Sequence, residues 1–508
     1  MHEVLLIDEL LEVVLGFCTD SATLSRIART CQAWKEPALD RVWARLDSFL
    51  PLLRLIPGLF TVNGVYLLES PIEPGFRRLR HYASRVRTIA SRQNIRIHPS
   101  LLSLLLQDSY IAPIFYRLSS VQLSLTNCHA ICPLLSLSPE LKKVDLDLGF
   151  KTKKDKAVNK SALQFISTVG RLSAGFTSLS LRGTASSSVL KAVTSLPHLN
   201  FLYLRNGVTF TADTLAAIAT FPSLKELKIQ ISHLHPESLR FPASACFPSL
   251  QLLDIRGRTT YVEKLLLHMQ SDCLVSLRVE VEHLWQTDDT WDGLFNAIRH
   301  KTRTTLQELT IEHIMDADDL FLEDGSIRSP DTLSEATTID NIIPPTNPSA
   351  LLLFDHLYSL SNHNSLHRLL LETTPPIIIQ DQDLEKMVQW WPNLEHLDLG
   401  TLLTEQRWAP KTTPAALFTI SRGFSALRSL VMPVNISGLT HDTAIRVLQT
   451  FPDASSLHHI TLTALTPPNQ SMAHLLYRLF PSLRDIHGTR GHEEAWTRVQ
   501  DGFHLLRA

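Results

Sequence analysis

Apolar residues recur along this chain at two spacings. In LLIDELLEVVLGFC (5–18), Ile7, Leu10, Leu11, Val14, Leu15 and Cys18 fall at steps of three and four, which is one stripe of an α-helix. Asp8 is a candidate N-cap, and Glu9 and Glu12 suit the positive end of the helix dipole. Leu24, Ile27, Ala28 and Cys31 repeat the spacing behind two candidate caps, Asp20 and Ser21. A third helix is expected from Pro37, which a first turn accommodates, carrying Leu39, Val42, Trp43 and Leu46. Three such helices are too small a unit to complete a core without a partner or an attached domain.

The second spacing is Leu, two residues, an aliphatic, one residue, an aliphatic. Its clearest copies are LPHLNFLYLRN (196–206), FPSLKELKIQ (221–230), FPSLQLLDIRG (247–257) and WPNLEHLDLG (391–400). First positions fall at 118, 141, 176, 199, 224, 250, 274, 306, 366, 394, 427, 457 and 483. The gaps run from 23 to 35 residues, apart from one of 60. Helical patterns separate many of the copies, at 162–169, 214–220, 262–269, 291–300, 351–360 and 443–450. A repeat of this length with this core is the leucine-rich-repeat signature. Each unit is a strand and a helix, and stacking the units makes one continuous core.

The expected fold is therefore α plus α/β: a three-helix unit over 1–50, a junction over 51–117, and an irregular leucine-rich-repeat solenoid of horseshoe type over 118–508. Within the junction, RHYASRVRTIA (80–90) reads as a degenerate first strand with Val86 and Ile89 inward. Within the solenoid, 314–349 reads as an acidic, disordered insertion with eight acidic residues, one arginine and the dipeptide Ser329-Pro330.

The segment 5–46 resembles an F-box. The features that match are Ile7-Asp8-Glu9-Leu10-Leu11, then Val14, Leu15 and Phe17, then Leu24, Ile27, Ala28, Cys31 and Trp34, and finally Leu39, Trp43 and Leu46. Asp8 stands where that family usually has proline. The whole arrangement resembles the fungal and animal F-box proteins with leucine-rich repeats. That resemblance implies a non-catalytic substrate receptor of an SCF-type cullin–RING ubiquitin ligase. It further implies docking to the Skp adaptor, and through it the cullin core, by Ile7, Leu10, Leu11, Val14, Leu15, Leu24, Ile27, Cys31, Trp34 and Trp43. Two alternatives remain: an adaptor binder that never joins a cullin, and a repeat scaffold or inhibitor whose helices only cap the solenoid.

Side chains alternate along a strand, so positions 0, 3 and 5 of each repeat point inward and positions 2, 4 and 6 line the opposite face. Aromatic residues and arginine anchor protein interfaces, which makes Phe201, Tyr203, Arg205, Arg256, Arg278 and Arg368 the leading contacts for a protein target. Lys228, Glu280 and His396 share that face. KTKKDKAVNK (151–160), with five lysines, reads as a solvated basic loop.

Composition narrows the function classes. Apolar residues are 44% and charged residues 19%, as in a folded chain, and the net charge of −2 makes nucleic acid an unexpected partner. Three acidic residues interrupt the first apolar segment and no apolar run reaches membrane-spanning length, so cytoplasm or nucleus is expected and no membrane partner. The six cysteines are sparse and fit a reducing compartment, mostly as small core residues. Cys128, His129 and Cys132 crowd together without a second ligand pair, so no metal site is expected. His356, His363 and His367 read as surface or capping residues. Asp145 and Asp147 share one strand face, but alternating charges are ordinary there. No catalytic residue and no cofactor are assigned.

Overall fold

The computed structural model describes residues 7–69, 76–128, 131–150, 156–205, 211–232, 234, 239–241, 246–270, 272–282, 291–313, 352–373, 377–401, 410–439, 455–488 and 492–507. The insertion expected at 314–349, the helix expected at 443–450 and residues 151–155 of the basic loop lie outside them. The chain forms two compact units, Met1–His233 and Leu234–Ala508.

The first unit opens with three helices, α1 (Asp8–Gly16), α2 (Ser21–Ile27) and α3 (Gln32–Ala44). Leu15, Leu24 and Ala38 form their small core, with Cys18, Ile27, Ala28 and Val42 packed against it. Asp20 caps α2 by accepting the Thr23 N–H at 2.8 Å and the Ala22 N–H at 3.2 Å, which holds its carboxyl below the usual range. Two boundaries differ from expectation. Ile7, not Asp8, occupies the N-cap of α1, and no side chain caps that end. Helix α3 begins at Gln32 and carries Pro37 in its interior, so packing against α1 and α2 outweighs the lost backbone donor.

Ten strands follow: β1 (Arg45–Leu46), β2 (Leu59–Val62), β3 (Val65–Leu68), β4 (Thr88–Ser91), β5 (Arg96–Ile97), β6 (Ser120–Ser124), β7 (Lys143–Asp147), β8 (Ser178–Arg182), β9 (Phe201–Arg205) and β10 (Glu226–Gln230). Strands β1, β4, β6, β7, β8, β9 and β10 lie side by side in that order, every pair parallel. Strands β2, β3 and β5 make a small separate sheet. Its hairpin turns at Asn63-Gly64, both with positive φ, as a tight two-residue turn requires.

The second unit holds β11 (Leu252–Gly257), β12 (Ser276–Val281), β13 (Glu308–His313), β14 (Arg368–Thr373), β15 (His396–Asp398), β16 (Ser429–Pro433), β17 (His459–Thr463) and β18 (Asp485–Gly488). These eight are again parallel and ordered as in the chain. Neighbouring parallel strands with a crossover between them, repeated along the chain, are the architecture of a leucine-rich-repeat solenoid.

All thirteen repeat positions read from the sequence lie two residues before a strand, and all thirteen are buried. The FPSL, WPNL and LPHL leaders have a shared cause. The residue at −3 is buried and its carbonyl accepts the N–H of the repeat's first residue, as in Leu394 to Trp391 (3.1 Å) and Leu483 to Phe480 (3.1 Å). Proline follows at the turn position that favours it. Behind the strands run helices such as Lys156–Leu172, Thr259–His268, Trp291–Thr302 and Asp381–Trp390. The first of these takes in residues 156–160, so the second half of the segment expected as a basic loop is helical. None of the described helices is long and apolar enough to cross a membrane.

The helical unit does not end before the sheet begins. Strand β1 pairs with β4, and the Ala44 carbonyl accepts the Arg87 N–H at 2.9 Å. Trp43 stacks on Tyr82, with ring centroids 4.7 Å apart. Arg85, only 9% exposed, forms ion pairs with Glu36 and Asp40 on α3. Burial opposes the Arg85 charge, but its two carboxylate partners outweigh this and raise its pKa. Replacing Arg85 with Ala is expected to lower hydrogen-exchange protection at Leu46 and Arg87 by about 1.5–3 kcal/mol, the scale of a charge-assisted hydrogen bond. Unchanged protection there would show that the ion pairs do not tie the helices to the sheet.

Candidate functional site

Helix α1 divides its apolar stripe between two environments. Leu11 and Leu15 are each 1% exposed and belong to the unit's interior, with Leu24 buried beside Leu15. Ile7, Leu10 and Val14 are 46%, 42% and 42% exposed, and Val13 (58%) and Phe17 (83%) extend them. Leu11, Leu15 and Leu24 are core residues, and Trp43 anchors β1 against Tyr82. Ile27, Cys31 and Trp34 are half-buried, with Cys31 at the N-cap of α3. What α1 presents outward is a ridge of five large apolar side chains, an unusual surface for a helix end.

In the first unit, the open sheet face gathers Phe201, Tyr203, Arg205 and Lys228 from adjacent strands β9 and β10. Phe201 and Tyr203 pack edge to face at 6.4 Å. The Arg205 guanidinium lies over the Tyr203 ring at 5.5 Å, and the Lys228 ammonium approaches the same ring at 5.6 Å. A second pair escapes strand alternation: the Arg182 guanidinium lies over the exposed Phe150 ring at 5.2 Å. Phe150 follows Gly149, which has positive φ and whose N–H donates to Asp147 Oδ1 at 3.0 Å. Gly183, also at positive φ, lies so close to the Gly149 backbone that a Cβ would collide with it. These two glycines set the ends of β7 and β8 and hence the Phe150–Arg182 pair. Asp145 accepts from Gln122 Nε2 at 3.2 Å and from Ser180 Oγ at 3.1 Å.

The second unit's open face carries Arg256, Arg278, Glu280, Arg368 and His396, but its charges are largely paired. Arg256 reaches Glu280 at 2.9 Å and also Glu282, and Arg278 reaches Glu312 at 2.8 Å. The Glu312 hydrogen bond raises the Arg278 pKa against its burial. Burial is the main reason that Glu280, Glu372 and Asp398 ionise above their usual range, with neighbouring carboxylates adding to the shift in Glu280 and Glu372. Burial and then Arg368 push His396 down. Of the histidines expected at the surface or as caps, His356 and His363 are both buried: His356 caps its helix by accepting the Leu353 N–H at 2.9 Å, and His363 lies within hydrogen-bond distance of the Thr302 hydroxyl at 3.2 Å. Among the described residues no three His, Cys, Asp or Glu side chains gather as a metal site.

No protein-family model matches this chain, and no curated protein matches it. Solved structures similar to it include an internalin of Listeria monocytogenes and a leucine-rich-repeat protein of Leptospira interrogans. The internalin is 11% identical over 87% of this chain and 93% of its own, with a TM-score of 0.35. The Leptospira protein is 14% identical over 76% of this chain and 81% of its own, with a TM-score of 0.32. At such scores the repeat assignment rests on the strand register described above.

Asp398 offers a test of how poorly hydrated the second face is. Its carboxyl ionises at a higher pH in the folded chain than its ordinary 3.8. Between those two values the folded chain binds the extra proton, so stability falls as pH rises through that window and the charge is unfavourable at pH 7. Asp398→Asn keeps an oxygen for the Gly400 N–H, which Asp398 accepts at 2.9 Å. The substitution is expected to raise the melting temperature at pH 7, with the gain shrinking towards zero as pH is lowered to 3.8. Calorimetry across that range checks the sign, and a pH-independent change would contradict it.

Proposed function

We propose that the chain is a substrate-recognition subunit of an SCF-type cullin–RING ubiquitin ligase. In this reading α1 docks on the Skp adaptor, the adaptor joins the cullin core, and an open face of repeat strands holds a protein target. Catalysis is proximity, supplied by bringing target and charged ubiquitin carrier together, and no residue of this chain takes part in bond making. The observation that carries the reading is the division of α1 into a closed inner row and an outward ridge of Ile7, Leu10, Val13, Val14 and Phe17. A helix that served only its own small core would gain nothing from five exposed apolar side chains. The resemblance of residues 5–46 to an F-box supplies the identity of the partner. Work in the cytoplasm or nucleus goes with that partner.

A second reading has its own support. Strand β1, Trp43 and Arg85 join the helical unit to the first repeats, as an end cap would be joined. Capping and docking are compatible, since they use different residues of the unit. Deleting the helices cannot separate them, because the deletion also removes β1 and the partners of Arg85. Surface substitutions can.

Leu10→Asp with Val14→Asp changes the ridge and spares Leu11, Leu15 and Leu24. This variant is expected to lose adaptor capture by about 30-fold or more, the effect of removing central contacts worth about 2 kcal/mol, while its melting temperature stays near that of the parent. Leu15→Asp is expected to unfold the helical unit outright. Adaptor captured by the double variant as well as by the parent would exclude α1 as the docking element.

A further inference from the structure

The two open faces differ in how their cations are held. In the second unit Arg256 and Arg278 are engaged by carboxylates of their own face. In the first unit Arg182 and Arg205, which are paired in register on β8 and β9, rest on aromatic rings instead. Among the described residues neither makes an ion pair, and both are exposed. The acids nearest in the strand pattern are occupied by neutral donors: Asp147 by the Gly149 N–H, and Asp145 by Gln122 and Ser180. A guanidinium lying on a ring is held in one orientation while its N–H edge stays open to a carboxylate. Phe201, at the start of β9, packs edge to face on Tyr203 and offers an apolar surface along the same strand face.

We propose that the open face of β8 and β9, with Phe150 beyond the end of β7, forms a docking surface for an acidic segment of a protein partner, with two carboxylates on Arg182 and Arg205 at the strand ends and an apolar side chain on Phe201 at the start of β9. This deepens the reading of the open face as the target-binding surface and rests on it. Charge complementarity selects the occupant: arginines fixed on rings and, among the described residues, outside any ion pair attract an anionic chain and disfavour a basic one.

The test uses the full chain and fluorescein-labelled short peptides in an anisotropy titration. One peptide is rich in Asp and Glu around a single Phe. Its counterparts carry Asn and Gln, Lys, or phosphoserine in place of the acids, and a single-stranded oligonucleotide is the last probe. The acidic peptide is expected to bind, and the amide version to bind about tenfold more weakly or worse. Arg182→Ala with Arg205→Ala is expected to lower affinity for the acidic peptide by about tenfold or more and to flatten its salt dependence. No binding of the acidic peptide, or equal binding by the double variant, overturns the proposal. So does a phosphoserine peptide or the oligonucleotide binding more than about tenfold tighter than the acidic one. Adaptor capture is scored on the same samples. Peptide binding without adaptor capture removes the ligase role and leaves this surface standing, whereas adaptor capture without peptide binding removes only this surface.

Discussion

Within each unit, one backbone carbonyl of a repeat takes two N–H groups from the next repeat. In the first unit Ser119 O accepts from Lys142 and Lys143, Lys142 O from Thr177 and Ser178, Thr177 O from Asn200 and Phe201, and Asn200 O from Lys225 and Glu226. The second unit does the same at Gln251, Val275, Gln307, His367, Glu395, Arg428 and His458. A carbonyl oxygen has two lone pairs and can satisfy both donors, and no side chain is involved. The strand start is thereby fixed in every repeat whatever the sequence between strands. Helix length and gap length are then free to vary, and they do vary from a seventeen-residue helix at Lys156–Leu172 to a four-residue one at Phe354–Leu357. Irregular repeats share a regular sheet for this reason.

The same bond reaches back into the helical unit. Arg87 donates to Ala44 O, and Ser119 and Ser120 donate to Arg87 O, so the end of α3 stands as the first member of the series. Trp43 then occupies the place that leucine holds in later repeats, and Leu46 the next inward place, where it is buried. Once α3 is fixed by the sheet, α1 has one side left to give away. Its inner row meets α2 and α3, and its outer ridge cannot be covered by elements that are already committed to the sheet.

Much of this was legible in the sequence because inward positions are redundant. Thirteen first positions, each followed by aliphatics at fixed offsets, leave little freedom in register. What the sequence hid was mostly decided by partners distant in the chain. Leu10 and Leu11 look alike on a helical stripe, and only the position of α3 separates the exposed one from the buried one. Strand β1 has two residues, too few for an alternation to show. His356 and His363 look polar, yet each finds a hydrogen-bond partner inside the second unit. The Asn63-Gly64 hairpin is a different case, since the dipeptide between Val62 and Val65 is itself a two-residue turn signal. Phe150 could not be placed by strand alternation, because the glycine turn before it resets the chain direction.

The open faces show how one scaffold is given different chemistry. Both units carry the sequence Asp-Leu-Gly at a strand end, Asp147–Gly149 and Asp398–Gly400, and in both the aspartate accepts the glycine N–H. With the backbone turn held constant, the contrast comes from the neighbouring strands. Next to β7 lies Arg182, which stacks on Phe150. Next to β15 lies Glu372 on β14, whose charge adds to that of Asp398 and is itself disfavoured by burial. A cation placed against a ring remains available to a partner, while a cation placed against a carboxylate is largely spent. On its open face the first unit therefore rests Arg182 and Arg205 on rings, while the second holds Arg256 and Arg278 against carboxylates.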